Sequence, residues 1–463
     1  MITSQPVDIP LPKGVASIPS FPKLQEELVN LINLPGNRLA QRPGIDAFSD
    51  GPGICRGSTQ YKGKCYQVSG DKLVRINIDG TVDALGDIPG SAQCAIAVGA
   101  QKMVVVVKGA GGYVYDIDAG LSQITSPNYQ PSIDVAHIDG RFVFVPADGG
   151  PLFFSDVDNP FSIGNASYFD AELLPDNNLG VKHYKNRLYV LGEDSCEMFR
   201  HKGANPSAPF LRSDGAAVFV GYVAAHVEYS ESFALLGKEK EGSYGIFIMS
   251  AGEAPRISSG PVDRLLNREY TPDELKTCLS QRLQWDEADM ILFRLPRHTL
   301  VFANGSWTFF KTEQGGAWRP NPWRVSHITP CYGKFIVGDA LSGKIGVLSE
   351  SDADYGEQWP RLIQTFYRAL RGQHFTIDSL TLDTHPGQSS SLNDDAIGLS
   401  VSTDGHTWGQ TFYTPLGKQG QYSADVNWEY PGGLGDFESF AGLRFLTYAP
   451  VELSTDGLYA EVS

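Results

Sequence analysis

Residues 338–344, Gly-Asp-Ala-Leu-Ser-Gly-Lys, have the spacing of a phosphate-binding loop as far as the lysine. That chemistry also needs a Ser or Thr next, to hold magnesium, and a helix whose N-terminus points at the phosphate. Position 345 is Ile, and apolar runs on both sides read as strands, so the stretch is expected to be a hairpin turn. Gly109-Ala110-Gly111-Gly112 lacks the third glycine of a dinucleotide fingerprint and opens a strand rather than a helix. Asp156-Val157-Asp158-Asn159 has the oxygens for calcium but neither the EF-hand glycine nor its terminal Glu. Ser402-Thr403-Asp404-Gly405-His406-Thr407-Trp408 is one residue short of an Asp-box, a hairpin locked by its own side chains. The nine histidines are scattered without metal-ligand spacing, and neither Gly-x-Ser-x-Gly nor His-Glu-x-x-His occurs. Carboxylates are plentiful enough for a glycosidase pair, yet nothing selects one pair. The expectation is therefore no catalytic, cofactor-binding or metal residue.

Bulk properties narrow the class. The 37 Lys and Arg against 53 Asp and Glu leave a formal charge of −16. Proteins that grip DNA neutralise its phosphates with excess cations, so tight non-specific binding is not expected. An acidic surface still suits DNA that must slide past. The 50 Gly and 29 Pro, spread along 463 residues with 11% aromatics and 19% charged residues, describe a turn-rich all-β protein with more than one core. Six cysteines in irregular spacing make neither a zinc site nor a disulfide framework, and free buried thiols are expected. Cys55 and Cys65, close in sequence, could bridge a hairpin. The opening MITSQPVDIPLPKG has no basic-then-apolar signal pattern, and no apolar run approaches the roughly 18 residues of a membrane span. The expectation is no membrane insertion and no secretion by the usual signal route, so that Asn165 and Asn304, each in a glycosylation pattern, go unmodified.

The elements that would position any site come from a loose repeat between 42 and 348. A polar turn is followed by a short apolar strand beginning at 65, 103, 142, 188, 233, 290 and 335. In most units a second strand follows after a Gly- or Asp-containing turn. These intervals have roughly the 40–50-residue length of propeller blades. A β-sandwich pair would use similar strands. Beyond the polar joint at 352–357 the spacing breaks, and strand candidates at 362–367, 376–382, 397–401, 443–448 and 458–462 read as a separate sandwich. A Ser/Asn/Asp-rich loop at 388–395 and a Gly-rich turn at 431–435 lie between them. The fold class expected is all-β: a seven-bladed β-propeller (42–350) with a helical insertion (261–280), a β-sandwich (351–463), and an extended N-terminal arm (1–41). In that arm Leu24, Leu28 and Leu31 allow at most one helical turn.

The longest interval, 233 to 290, carries the helical signal. Val262, Leu265 and Leu266 share one face, Thr271-Pro272-Asp273-Glu274 spells a capping box, and Leu275 and Leu279 give the second helix its apolar side. Strands at 290–295 and 299–302 then flank Pro296-Arg297-His298. The helices are expected to project from the propeller as a subunit or adaptor contact, with Val262, Leu265, Leu266, Leu275, Arg297 and His298 as interface candidates.

Several stretches, in the right order, carry a family resemblance. They are Arg42-Pro43-Gly44-Ile45; Leu152-Phe153-Phe154-Ser155-Asp156 with Asn159-Pro160; Ala171-Glu172 and Pro175-Asp176; Leu188-Tyr189-Val190-Leu191-Gly192 with Glu197-Met198-Phe199. Strongest are Ile257-Ser258, Tyr270-Thr271-Pro272-Asp273-Glu274-Leu275 and Leu295-Pro296-Arg297-His298-Thr299-Leu300-Val301, with the turn Ser402–Gly409 beyond them. The chain resembles the packaged-DNA stabilisation proteins of short-tailed bacteriophages, the tail hub or nozzle proteins below the portal. That resemblance implies a homohexamer in the virion tail, made in the host cytoplasm. The ring would dock on portal-adaptor proteins, hold the tail needle or tip near fibres or spikes, and pass double-stranded DNA without specific binding. It supplies no catalytic residue or cofactor. The loops, and the region before Arg42, depart from the family pattern. A carbohydrate-active propeller enzyme, a glycosidase or depolymerase acting on host surface polysaccharide, is the alternative, and a lectin-like binder a third.

Overall fold

The computed structural model describes residues 5–18, 21–171, 173–202, 209–213, 217–250, 252–313, 321–368, 374–384, 395–421, 425–430 and 433–463. Most of the loop expected at 388–395 and part of the turn at 431–435 fall outside them.

Seven sheets of consecutive antiparallel strands follow one another between Gly44 and Ser349. Their first strands are Cys55–Tyr61, Cys94–Val98, Ser132–Ile138, Asn178–Tyr184, Val220–Tyr229, Leu279–Trp285 and Val325–Cys331. Each lies against the next, and the seventh lies back against the first, so the sheets close a ring. We treat each sheet as a blade. Two-residue turns join first to second strands, as at Asp139-Gly140 (φ 47° and 80°). Positive φ at both positions is the turn whose twist matches that of the flanking strands, which is why glycine stands second.

The packing explains the unbroken apolar runs. Met103, Val105 and Val107 enter the core between blades one and two, whereas Val104 and Val106 enter the core between blades two and three. A strand covered on both faces needs apolar residues at every position, not at alternate ones. The same arrangement recurs round the ring, ending with a core of Cys65, Val74, Cys331 and Ile345 between blades seven and one. Cys55 and Cys65 sit at opposite ends of their hairpin, facing Ser69 and Gln60, so they do not pair. All six cysteines are free and buried.

The outer strand of blade seven comes from the far end of the chain. Gly44–Asp50 pairs antiparallel with Lys344–Ser349, Ile45 opposite Leu348. Ring closure thus joins a segment before blade one to the last blade by main-chain hydrogen bonds.

The segment before it corrects the expectation of a separate arm. Among its described residues this segment forms the strands Gln5–Asp8, Ala16–Ile18, Phe21–Val29, Leu31–Leu34 and Arg38–Gln41 and no helical turn. Gln5–Asp8 pairs with Leu453–Val462, and Leu31–Leu34 with Arg38–Gln41 makes a hairpin on the same sheet. Phe21–Val29 pairs with Arg361–Tyr367 on one side and touches blade six on the other, Val29 beside Phe309. Blade six and one sheet of the sandwich are therefore continuous. The five expected strands of the sandwich are present, and Phe412–Gly417 and Val426–Glu429 join them. Its core includes Leu28, Leu31 and Leu39 from the N-terminal segment beside Leu380, Trp428 and Phe445.

Candidate functional site: the helical insertion, the domain junction and the propeller axis

Two helices lie in the expected stretch, but the second is shorter than expected: it ends at Leu275, and Leu279, expected on its apolar side, opens the strand Leu279–Trp285. Helix α1 spans Gly260–Arg268 and α2 spans Pro272–Leu275. The capping box at α2 is complete: Thr271 Oγ1 accepts from the Glu274 N–H (3.3 Å), and the Thr271 N–H donates to Glu274 Oε2 (2.8 Å). Their orientation is not as expected. Blade five has only three strands. Residues 255–258 run along its outer strand Tyr244–Met249, with Ile257 N–H donating to Ile246 O and Ile248 N–H to Pro255 O. Helix α1 then covers that edge, taking the place a fourth strand has elsewhere.

Four interface candidates are consequently spent inside the chain. Val262, Leu266 and Leu275 are fully buried and Leu265 nearly so, in one core with Ile246, Phe293, Trp307 and the N-terminal Val15 and Val29. An apolar stripe signals burial but not against what, and here the partner is this chain's own blades. Arg297 and His298 are half-buried and are also bonded within the chain. Arg297 pairs with Glu274, donates to Glu269 O and stacks over Tyr270 at 4.4 Å, while His298 Nδ1 lies 2.7 Å from the Tyr270 hydroxyl.

Removing the cap gives a local test. Thr271→Ala should lower stability by about 1 kcal/mol, read as a shifted denaturation midpoint with the fold intact. The bond from Arg297 and the Thr271 N–H hold the Glu274 carboxyl down at about 2, against 4.5 unperturbed. A depressed carboxylate stabilises above its unfolded value and loses that effect as pH falls through the folded one. The contribution should therefore be complete above about pH 4.5 and fade towards pH 2, and Glu274→Gln should flatten that part of the stability profile.

The second feature is one that sequence reasoning missed. Arg42 was singled out only as part of a family motif, yet its side chain is fully buried at the propeller–sandwich junction. Both Nη atoms meet Asp354, at 2.9 and 2.8 Å. Nε donates to Asn30 Oδ1 (3.0 Å), Nη1 to Pro43 O (2.8 Å) and Nη2 to Lys311 O (3.1 Å). Every guanidinium nitrogen is thus satisfied, as a buried charge requires. The planar group stacks 4.0 Å from the Trp359 ring, with Trp323 at 5.2 Å. Arg361 also lies 4.0 Å from Trp359 and donates to Tyr448 O and Gln41 Oε1. Burial pushes Arg361 down to about 9, with Arg42 nearby adding to the shift. The stretch 352–357, expected as a polar joint, carries the buried carboxylate Asp354.

The third feature is a cavity of about 370 Å³ on the propeller axis, lined by the first strands of several blades. Asp134 is the one carboxylate among its lining residues, and no arginine is there. The two Asp134 oxygens already accept from the Val135 and Val181 N–H groups, and His226 lies 3.6 Å away.

The remaining motifs are structural. The segment 339–344 joins two paired strands, Gly338 opposite Ile345. Asp404 accepts from the His406 and Thr407 N–H groups (2.7 and 2.6 Å) and from Ser402 Oγ, which hold its carboxyl far below the usual range. Asp156 accepts from Ser162 Oγ within its own turn. Among the described residues no three His, Cys, Asp or Glu side chains gather as a metal site, and no helix is long and apolar enough to cross a membrane.

A closed propeller joined to a sandwich by a continuous sheet defines a class of two-domain all-β proteins. Within that class the chain belongs to the family of bacteriophage P22 Gp10: residues 9–353 match its β-propeller and residues 361–463 its β-sandwich. It is 24% identical over 446 residues to the tail hub protein gp10 of Salmonella phage P22, covering 89% of each chain. Among solved structures, the WD40 propeller of Doa1 aligns with 67% of this chain and 98% of its own at 12% identity and a TM-score of 0.41. BamB from Moraxella catarrhalis aligns with 75% of this chain and 100% of its own at 10% identity and a TM-score of 0.36.

Proposed function

We propose that the chain is a non-enzymatic tail hub of a short-tailed phage: six copies in a ring below the portal and adaptor, around a path for packaged DNA. The observation that carries this is the match to a tail hub protein through both domains. The axial cavity supports one detail of the arrangement. Its 370 Å³ falls in the range of small-molecule pockets, roughly 300–1,000 Å³. A duplex whose major groove alone is about 12 Å wide does not fit such a space. DNA would therefore run between copies rather than through one propeller, and several copies are needed to enclose it. A formal charge of −16 suits walls that do not hold the duplex. The ring would close head to tail, each copy offering two different surfaces. Portal-adaptor proteins on one side, and the needle or tip with fibres or spikes on the other, are the partners proposed for its ends.

The carbohydrate-active alternative asks for two carboxyl groups roughly 5–9.5 Å apart on a sugar site. The axial cavity offers Asp134 alone, already hydrogen-bonded.

Native mass spectrometry of the purified chain, alone and mixed with its portal-adaptor complex, tests the proposal. A six-copy ring in at least one condition is expected. A monomer in both overturns it.

A further inference from the structure

The axial cavity has features that ring assembly does not explain. Blade five's first strand carries two successive bulges as it passes the cavity, between Tyr222 and Ala224 and between Ala224 and His226. Ala225, in the second, sits at φ 56°, a left-handed conformation that a residue with a side chain rarely adopts. Bulges re-aim side chains, and they and such backbone strain are over-represented beside functional sites.

Three of the polar residues lining the cavity, Lys108, Gln281 and His327, carry groups that can donate hydrogen bonds. Lys108 is exposed at its edge, and its ammonium has no ion-pair partner among the described residues. Gln281 Oε1 accepts from the Ile328 N–H at 3.0 Å, which leaves its amide nitrogen to donate elsewhere. His327 Nδ1 lies 3.5 Å from Cys55 Sγ. Burial pushes that thiol up to about 12, so it keeps its hydrogen. Burial and the fields of Lys108 and Arg294 push His327 down to about 4, so the ring is neutral; in the tautomer whose Nδ1 accepts from the thiol, its proton is on Nε2. The other charges at the cavity are Asp134, facing His226, and Lys276, paired with Asp273.

We propose that this axial cavity binds a small oxyanion, inorganic phosphate or a small carboxylate, between Lys108, the Nε2–H of His327 and the amide of Gln281. Lys108 supplies the charge, and the two neutral donors fix the position. The anion enters by the side on which Lys108 is exposed, without any need for a ring.

Calorimetric titration of the purified chain with inorganic phosphate, and separately with succinate, tests this at constant ionic strength set by sodium chloride. Saturable binding of at least one is expected. Lys108→Ala should weaken it at least tenfold while leaving the anion-free melting midpoint unchanged. Gln281→Leu should weaken it as well, and Lys108→Arg should retain it. Binding of neither anion beyond the chloride control, or equal affinity in Lys108→Ala, overturns the proposal. Because the measurement is made on the isolated chain, its failure is separate from any failure of ring assembly.

Discussion

Arg42→Ala should destabilise the protein by about 3–5 kcal/mol, the range seen when one member of a buried ion pair is removed. The cost comes less from the lost attraction than from what is left behind. Asp354 would stay buried with its charge uncompensated, and Asn30 Oδ1, Pro43 O and Lys311 O would each lose a donor. The stack on Trp359 would also go. Equilibrium denaturation should show the loss in both domains together, because the residues around Arg42 belong to both. Arg42→Met with Asp354→Leu should recover much of it, since replacing both charges by apolar groups removes the stranded one. A single Arg42→Ala variant as stable as the parent would show that the junction is held by the continuous sheet alone.

The second large effect concerns the helical insertion. Leu266→Ala should cost about 2–5 kcal/mol, as for a fully buried leucine whose cavity cannot collapse. Deleting residues 262–279 should prevent folding rather than spare the propeller and merely impair assembly. It would uncover the outer strand of blade five and remove Val262, Leu266, Leu275 and Cys278 from a core shared by blades five and six and by Val15 and Val29. Circular dichroism and limited proteolysis read the outcome. A folded deletion variant that fails only to assemble would restore the view of the helices as a projecting contact.

These two regions also show where sequence was informative. The capping box was legible because its four residues are adjacent and each has a defined partner. The second and third strands of the blades were legible as apolar runs, whereas their more polar first strands were not, and the false phosphate loop was legible as a turn because the deciding residue, Ile345, is next in line. What lay beyond reach was pairing at long range. Asn37 donates to Asp456 across 419 residues, and nothing in the Pro-rich opening stretch announces such a partner. Short strands with interrupted alternation look like coil until the sheet that completes them is known. Arg42 and Arg361 were opaque for a related reason. A cation reads as surface in composition, and only the fold reveals carbonyls, a carboxylate and an indole ring placed to receive it.

The strand Gly44–Asp50 has a consequence for how the chain comes to exist. On a ribosome it emerges before blade one, but the strand it pairs with, Lys344–Ser349, is made last in the propeller. Gln5–Asp8 waits still longer, for Leu453–Val462. At roughly 5–20 residues per second, the opening strands spend tens of seconds without their partners. Main-chain closure of the ring and of the sandwich therefore waits for Lys344–Ser349 and Leu453–Val462 to be made, and a chain cut short anywhere before Lys344 cannot close the ring. A truncated copy would expose open sheet edges, unpaired rows of N–H and C=O groups that invite aggregation.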